Sequence, residues 1–240
     1  MNILKKIRKM LCSKGERSKV GLADVLDIYN KKYTMTLREW LIFHQKNIIF
    51  DKCNWMGVRC LKNPLDTWIY QELIYTIKPD IIIEIGSYEG GTTLYFANML
   101  DILGKGKVIS IDIDRSNFKA KHDRMILIDG DSASPEVFSA VAKLCENKKI
   151  LVIHDGAHDK EHVIKDLTLY STLVSVGSYL IVEDTIVDLF EEGDGLGTHY
   201  EGPLSAITEF VKTNNNYVID DDCERYLLTY NQRGFLKRIS

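Results

Sequence analysis

Between residues 81 and 185 the chain repeats one pattern: a short apolar, β-branched run closing on acidic residues, followed by a longer polar or amphipathic stretch. The runs are "IIIEIG" (81–86), "KVISIDID" (107–114), "MILIDGD" (125–131), "ILVIHD" (150–155) and "YLIVEDT" (179–185). Near-continuous apolar runs of this length read as parallel strands buried on both faces. Helical spacing is found over about 91–103, 135–147 and 160–174, with Gly177 as the expected stop of the last helix. Strands alternating with helices of this size restrict the chain to an α/β fold, a doubly wound, mostly parallel sheet with helices on both faces. Ahead of the first strand, Pro64 and Asp66 open a helix whose apolar stripe is Trp68, Ile69, Leu73 and Ile77, and Pro79 stops it. After the last strand a helix over about 204–213 precedes "YVIDD" (217–221) and "RYLLTY" (225–230), expected to pair as an edge hairpin.

At 240 residues the chain has room for one such domain and an N-terminal extension. The division expected is a helical extension over 1–50 and a catalytic domain over 51–240. Hydrophobic residues at 45% and charged residues at 27% are ordinary for a globular protein, and a net charge of −3 gives no reason to expect a nucleic-acid partner. No apolar run reaches the ~20 residues of a membrane-spanning helix, and the start lacks the apolar core of a signal peptide. The five cysteines are scattered and form no CxxC, which points to reduced thiols in a cytoplasmic protein. Residues 1–20 carry seven Lys or Arg against one Glu, and Ile3, Leu4, Ile7, Met10 and Leu11 fall at helical spacing. A basic amphipathic helix over 3–14 is therefore expected. The readings it allows are a peripheral contact to an anionic membrane face and a frayed or partner-packed terminal helix. Self-association of the chain stays open.

In a doubly wound sheet, ligands bind outside the carboxyl ends of the strands, and each chemically loaded stretch here sits at such an end. After the first strand, Glu84, Gly86, Ser87, Gly90 and Gly91 make a turn into a helix, where free backbone N–H groups and a close backbone approach are available. The spacing is ExGxxxGG rather than the GxGxxG of a dinucleotide site, and it lacks the tight glycine pair for a pyrophosphate. Asp112 and Asp114 end the second strand, where a carboxylate can take two ribose hydroxyls. Asp131 and Ser132 follow the third strand and could edge an adenine.

The ordered set Glu84-x-Gly86, Asp112 and Asp131 resembles S-adenosylmethionine-dependent methyltransferases of the Rossmann-like class. The segments "W-x-G…LKNPLD…YQELI…KPD-x-I-x-E-x-G…GG" (55–91), "H-x-x-x-HV…L…L-V-x-x-G-S-Y-L-I-V-E-D-T" (158–185) and "GFLKR" (234–238) narrow the likeness. Over about residues 50–238 the chain is similar to the family of bacterial cephalosporin 7-methoxylation proteins and rhamnosyl O-methyltransferases. The resemblance implies that the Gly86 turn passes the methionine part of the cofactor, Asp112 binds the ribose, and Asp131 with Ser132 flanks the adenine. It also implies Mg²⁺ held by carboxylates at the fourth and fifth strand ends, here Asp155, Glu183 and Asp184. One position departs from the pattern: Ala157 stands where many members carry an acidic residue.

Methyl transfer to an alcohol needs a general base or a Lewis-acidic metal, because a neutral hydroxyl is a poor nucleophile. His158 is the candidate base, and Asp155 the carboxylate beside it. His158 and His162 are four apart, but Asp159 caps the following helix and leaves His158 in a loop, and no third zinc ligand follows at suitable spacing. The glycine-rich stretch 191–203 reads as a lid, with Asp194, His199 or Tyr200 reaching the acceptor. The expected activity is O-methylation of a sugar hydroxyl in a glycan or natural product. Methylation of a non-sugar small molecule and a non-catalytic cofactor-binding partner protein are the alternatives. An iron oxygenase would need two histidines and a carboxylate held facially, and little beyond the His158/His162 pair suggests one.

Overall fold

The computed structural model describes residues 26–27, 30 and 33–240, with Glu192 described by its backbone alone. The basic helix expected over 3–14 lies outside the described residues. Two compact units are present, Met1–Trp40 and Leu41–Ser240. Helix α1 (Leu37–His44) begins behind a capping box: Thr36 Oγ1 accepts from Glu39 N at 3.2 Å, and Glu39 Oε2 accepts from Thr36 N at 2.8 Å.

In the second unit, a short hairpin of β1 (Asn54–Trp55) and β2 (Val58–Arg59) leads to α2 (Pro64–Ile77). There follow β3 (Ile81–Ile85), α3 (Gly91–Ile102), β4 (Lys107–Asp112), β5 (Met125–Asp129), α4 (Pro135–Cys145) and β6 (Ile150–His154). The chain continues through α5 (Lys160–Tyr170), β7 (Tyr179–Val182), α6 (Pro203–Thr213), β8 (Tyr217–Ile219) and β9 (Phe235–Arg238). The main sheet has the strand order β5-β4-β3-β6-β7-β9-β8. Pairs among β5, β4, β3, β6 and β7 are parallel, and β9 pairs antiparallel with both β7 and β8.

Double winding follows from the two-residue period of the central strand. On β3, Ile81, Ile83 and Ile85 pack with Val141, Leu167, Tyr170 and Ile207, which belong to α4, α5 and α6. Ile82 faces the other way, into a cluster with Ile69, Tyr70, Phe96 and Leu100 from α2 and α3. Each fully buried side chain of this size contributes roughly 1.5–3 kcal/mol. A strand sealed on both faces therefore needs the unbroken apolar run that its sequence shows.

Four local expectations are corrected. Residues 225–230 are not a strand; the edge partner of β8 is β9, because Phe235 and Leu236 are fully buried apolar residues that can sit between two strands, whereas Tyr226 and Leu227 stay exposed. Asp66 does not open α2. Asn63 is the N-cap, accepting from Leu65 N at 3.1 Å, and Asp66 is buried, where its Oδ2 accepts from Tyr230 N at 3.0 Å. Helix α5 ends at Tyr170, and Gly177, with φ of +80°, lies in the turn before β7. Lastly, Trp68 is 57% exposed rather than part of the stripe of α2.

Candidate active site

A cavity of about 510 Å³ opens where the carboxyl ends of β3, β4, β5 and β6 meet, roofed by residues after β1–β2. Gly86 sets its floor. Its φ is +85°, and a Cβ there would come within 2.0 Å of the Asp155 carbonyl oxygen, so only glycine lets the β3 and β6 tips pass this closely. Ser87 and Tyr88 follow, and their backbone N–H groups both donate to Asp112 Oδ2, at 2.8 and 3.0 Å. The Ser87 hydroxyl donates to the same oxygen at 2.9 Å, while Asp114 N donates to Oδ1 at 3.0 Å. Burial works against charge on Asp112, but these four bonds outweigh it and hold the carboxyl below the usual range. Asp112 is thus an ionised, oriented acceptor on the cavity wall.

Among the other cofactor candidates, Asp131, Ser132 and Asp155 line the cavity with Gly86, Ser87 and Asp112. Ser132 Oγ donates to the buried Asp166 at 2.9 Å, and His154 meets the same Asp166 oxygen at 2.9 Å. Glu84 and Gly90 lie elsewhere. Glu84 shares the α3-facing side of β3 with Ile82, and its buried carboxyl accepts from the Thr93 hydroxyl. Burial pushes it up to about 7, against the bond from Thr93 and the charge of Lys62. Gly90, with φ of +86°, packs against Phe118 and Ala120.

Lys62 and Asp155 line the cavity at the β6 tip, whereas His158 and the β7-tip residues Glu183 and Asp184 stand next to it, outside the lining. Buried Lys62 bridges Asp155 and Glu183, with Nζ 2.7 Å from Glu183 Oε2. Burial pushes both carboxyls up against the pull of the ammonium, Glu183 most strongly. Desolvation also opposes the charge on Lys62, but Asp155, Glu183 and Asp184 together keep it firmly protonated. Asp184 has a left-handed backbone (φ 54°), a strained conformation for a non-glycine residue, and its N–H donates to Asn231 Oδ1 at 3.0 Å. Asn231 in turn donates to the Tyr70 hydroxyl at 2.7 Å. Asp184 Oδ2 lies 3.1 Å from His158 Nε2. Burial disfavours ionisation of both partners, yet their attraction lowers Asp184 and raises His158.

The histidines of "HDGAHDKEH" do not all converge: His154 meets Asp166 Oδ2 at 2.9 Å, His162 lies 3.4 Å from Asp131 and 3.7 Å from the same Asp166 oxygen, and His158 meets Asp184 instead. Asp159 caps α5 as expected, accepting from His162 N at 2.9 Å. Atoms of Asp155, His158 and Asp184 able to ligate a metal do lie within 4.8 Å of one another. The carboxylates of Asp155 and Asp184 converge with His158, and Glu183 adjoins them across the Lys62 ammonium, an oxygen-rich set that fits a hard divalent cation. Glu183 belongs to this set through Lys62 rather than by direct convergence. Asp194, His199 and Tyr200 do not line the cavity. Their loop is instead tied to α5, with Lys160 N donating to the Glu201 carbonyl at 2.9 Å, and to Asp188, which accepts from Gly202 N at 2.6 Å.

Sequence reasoning assigned no role to Lys62, Arg59, Asn231 or Asp166. Lys62 falls inside "LKNPLD", immediately before a helix, and a lysine at such a junction was the one signal that could have marked it.

The family model described as "Rhamnosyl O-methyltransferase/CmcI" matches residues 47–239. A rhamnosyl O-methyltransferase of Mycobacterium leprae (strain TN) is 32% identical over 207 residues, covering 83% of this chain and 89% of that protein. A rhamnosyl O-methyltransferase of Mycobacterium tuberculosis (strain ATCC 25618 / H37Rv) is 29% identical over 208 residues, covering 83% and 84%. The solved structure described as "cmcI-D160 Mg-SAM" superposes with a TM-score of 0.60 at 22% identity, covering 80% of this chain and 78% of that one, a likeness of fold. With the match spanning nearly the whole second unit, the chain belongs to the rhamnosyl O-methyltransferase/CmcI family and is an S-adenosylmethionine-dependent methyltransferase.

Proposed function

We propose that the chain methylates a hydroxyl of a sugar, in a glycan or natural product, with Mg²⁺ assisting, and that residues 51–240 carry this chemistry. The observation that carries the reading is the placing of two groups of side chains next to each other at the strand tips. On the cavity wall a backbone-held carboxylate, Asp112, faces the space beside a glycine turn. Adjoining the cavity, a His–Asp pair lies beside a pair of carboxylates bridged by Lys62, of which Asp155 and Lys62 reach the lining. Asp112 accepts the ribose hydroxyls, the Gly86–Ser87 turn passes the methionine part, and Asp131 and Ser132 edge the adenine. The sugar class is supported by the likeness to rhamnosyl O-methyltransferases.

S-adenosylmethionine supplies a methyl group on a positively charged sulfur. Asp184 Oδ2 accepts from His158 Nε2–H, which leaves Nδ1 as the basic atom of the ring. His158 takes the proton of the acceptor hydroxyl at Nδ1 as the new O–CH₃ bond forms and the S–CH₃ bond breaks, leaving S-adenosylhomocysteine. Asp155 and Asp184 would hold Mg²⁺, with Glu183 behind them, and the ion would supply Lewis acidity toward the acceptor oxygen. Lys62 fixes Asp155 and Glu183, which otherwise repel each other.

The test is formation of S-adenosylhomocysteine from S-adenosylmethionine and a methyl rhamnoside, with Mg²⁺ or with a chelator. Product in Mg²⁺ and little in chelator is the expected result. Turnover of catechol with none of the rhamnoside would overturn the sugar assignment, and equal rates in both conditions would overturn the role of the metal.

A further inference from the structure

Arg59 stands on β2 and lines the cavity beside Tyr88. Its place is set by the backbone: a Cβ on Gly91 would come within 2.0 Å of the Arg59 carbonyl oxygen, so β2 is pressed onto the first residue of α3. From there the guanidinium reaches the turn after β3. Nη2 donates to the Phe50 carbonyl, and Cζ lies 6.0 Å from the centroid of the Tyr88 ring. Nε is shielded from solvent and finds no acceptor among the described residues. The guanidinium forms no ion pair with a described carboxylate, although four aspartates line the same cavity. A desolvated N–H donor without an acceptor is costly, and guanidinium donors form a planar fork that matches a carboxylate.

The charges around it restrict what can complete that fork. Of the other basic side chains on the cavity, Lys62 is already divided between Asp155 and Glu183, and His162 faces Asp131. Asp112, Asp114, Asp131 and Asp155 suit hydroxyls, an ammonium or a sulfonium, and repel an anion. S-adenosylmethionine has one anionic group, the carboxylate at its amino-acid end. The turn that hands two N–H groups to Asp112 also presents the Tyr88 ring to Arg59, so the ribose acceptor and the guanidinium flank one turn. We infer that Arg59 receives the amino-acid carboxylate of S-adenosylmethionine. The inference rests on the cavity being the cofactor site, as read above.

Calorimetry with S-adenosylhomocysteine and with its decarboxylated analogue tests it, because the second ligand lacks only the group in question. Wild-type protein is expected to bind the first roughly ten- to a hundredfold more tightly, the worth of a charged pair. Arg59→Gln abolishes most of that ratio and leaves the analogue's affinity within about twofold, and Arg59→Lys restores part of it. A ratio preserved in Arg59→Gln overturns the inference. So does an equal loss for both ligands, which is the mark of a merely structural residue. Asp112→Ala separates the two readings: it weakens both ligands together if the cavity holds the nucleoside. If it changes neither, the cavity reading fails and takes the inference with it.

Discussion

Asp112 on the cavity wall and the Asp155–Glu183 pair, of which Asp155 reaches the cavity, are held in opposite ways. Asp112 accepts from the Ser87 and Tyr88 backbone N–H groups and the Ser87 hydroxyl, in the turn after β3, and from Asp114 N–H just after its own strand, and its carboxyl is held down. Asp155 and Glu183 have no such turn. They depend on one lysine from another part of the chain, and burial pushes them up. Backbone donors cost nothing extra to orient once the turn has formed, so they fix a charge permanently. Side-chain partners can be displaced or shared, which is what the proposed roles in cation binding and proton transfer require.

The largest effect that tests this contrast is on turnover. His158→Ala should lower the rate by about 10²–10⁴-fold, the range of a lost general base, with S-adenosylhomocysteine affinity by calorimetry unchanged. A comparable loss of affinity would mean that His158 belongs to the cofactor end. Lys62→Met leaves two buried carboxylates unneutralised and should cost about 3–5 kcal/mol in urea unfolding. If Mg²⁺ is the shared cation's natural companion, that loss should shrink when Mg²⁺ is added.

Glu84, beneath the floor, sharpens the same point through pH. Its folded-state value is about 7, above the usual carboxyl value, with burial as the main cause. The folded chain therefore binds a proton there that the unfolded chain releases. The contribution to stability is full below about pH 4.5 and is lost as pH rises to about 7, by about 2–3 kcal/mol. Glu84→Gln should flatten that part of the stability curve, and an unchanged slope would show that Glu84 is ionised in the fold. Asp112 has the opposite sign: its contribution is present above the ordinary aspartate range and fades as pH falls through its lowered value. The smallest effect expected is that of Asp112→Asn, which keeps the shape of the turn and should weaken S-adenosylhomocysteine about tenfold. A loss confined to catalysis would move Asp112 to the other end of the site.

Much of this arrangement is legible in the chain. Near-continuous apolar runs in "IIIEIG" and its four successors give parallel strands, sealed on both faces except at the edge strand β5, where Leu127 stays 45% exposed, and the helical spacing between them gives double winding. From that alone Asp112, Asp131, Asp155 and Glu183 fall at strand tips, because residues just past a buried run must leave the sheet at its end. The family motifs reach the same residues independently. Misreadings came where local pattern could not decide. "RYLLTY" has the composition of a strand, but the slot between β7 and β8 goes to Phe235 and Leu236, whose side chains are fully buried there.

By itself, then, the sequence determined the α/β sheet, the loaded end of it, and the residues at each strand tip, since these follow from periodicities within ten or fifteen residues. Only the tertiary structure decided what each tip touches. Lys62 lies 93 residues from Asp155, and Asn231 lies 47 from Asp184. Glu84, two positions before Gly86 in sequence, faces Thr93 in the core because successive side chains on a strand point to opposite faces. Pairings across such separations depend on how layers stack. The burial and partners that result set which carboxyls are held down, as in Asp112, and which are pushed up, as in Asp155 and Glu183.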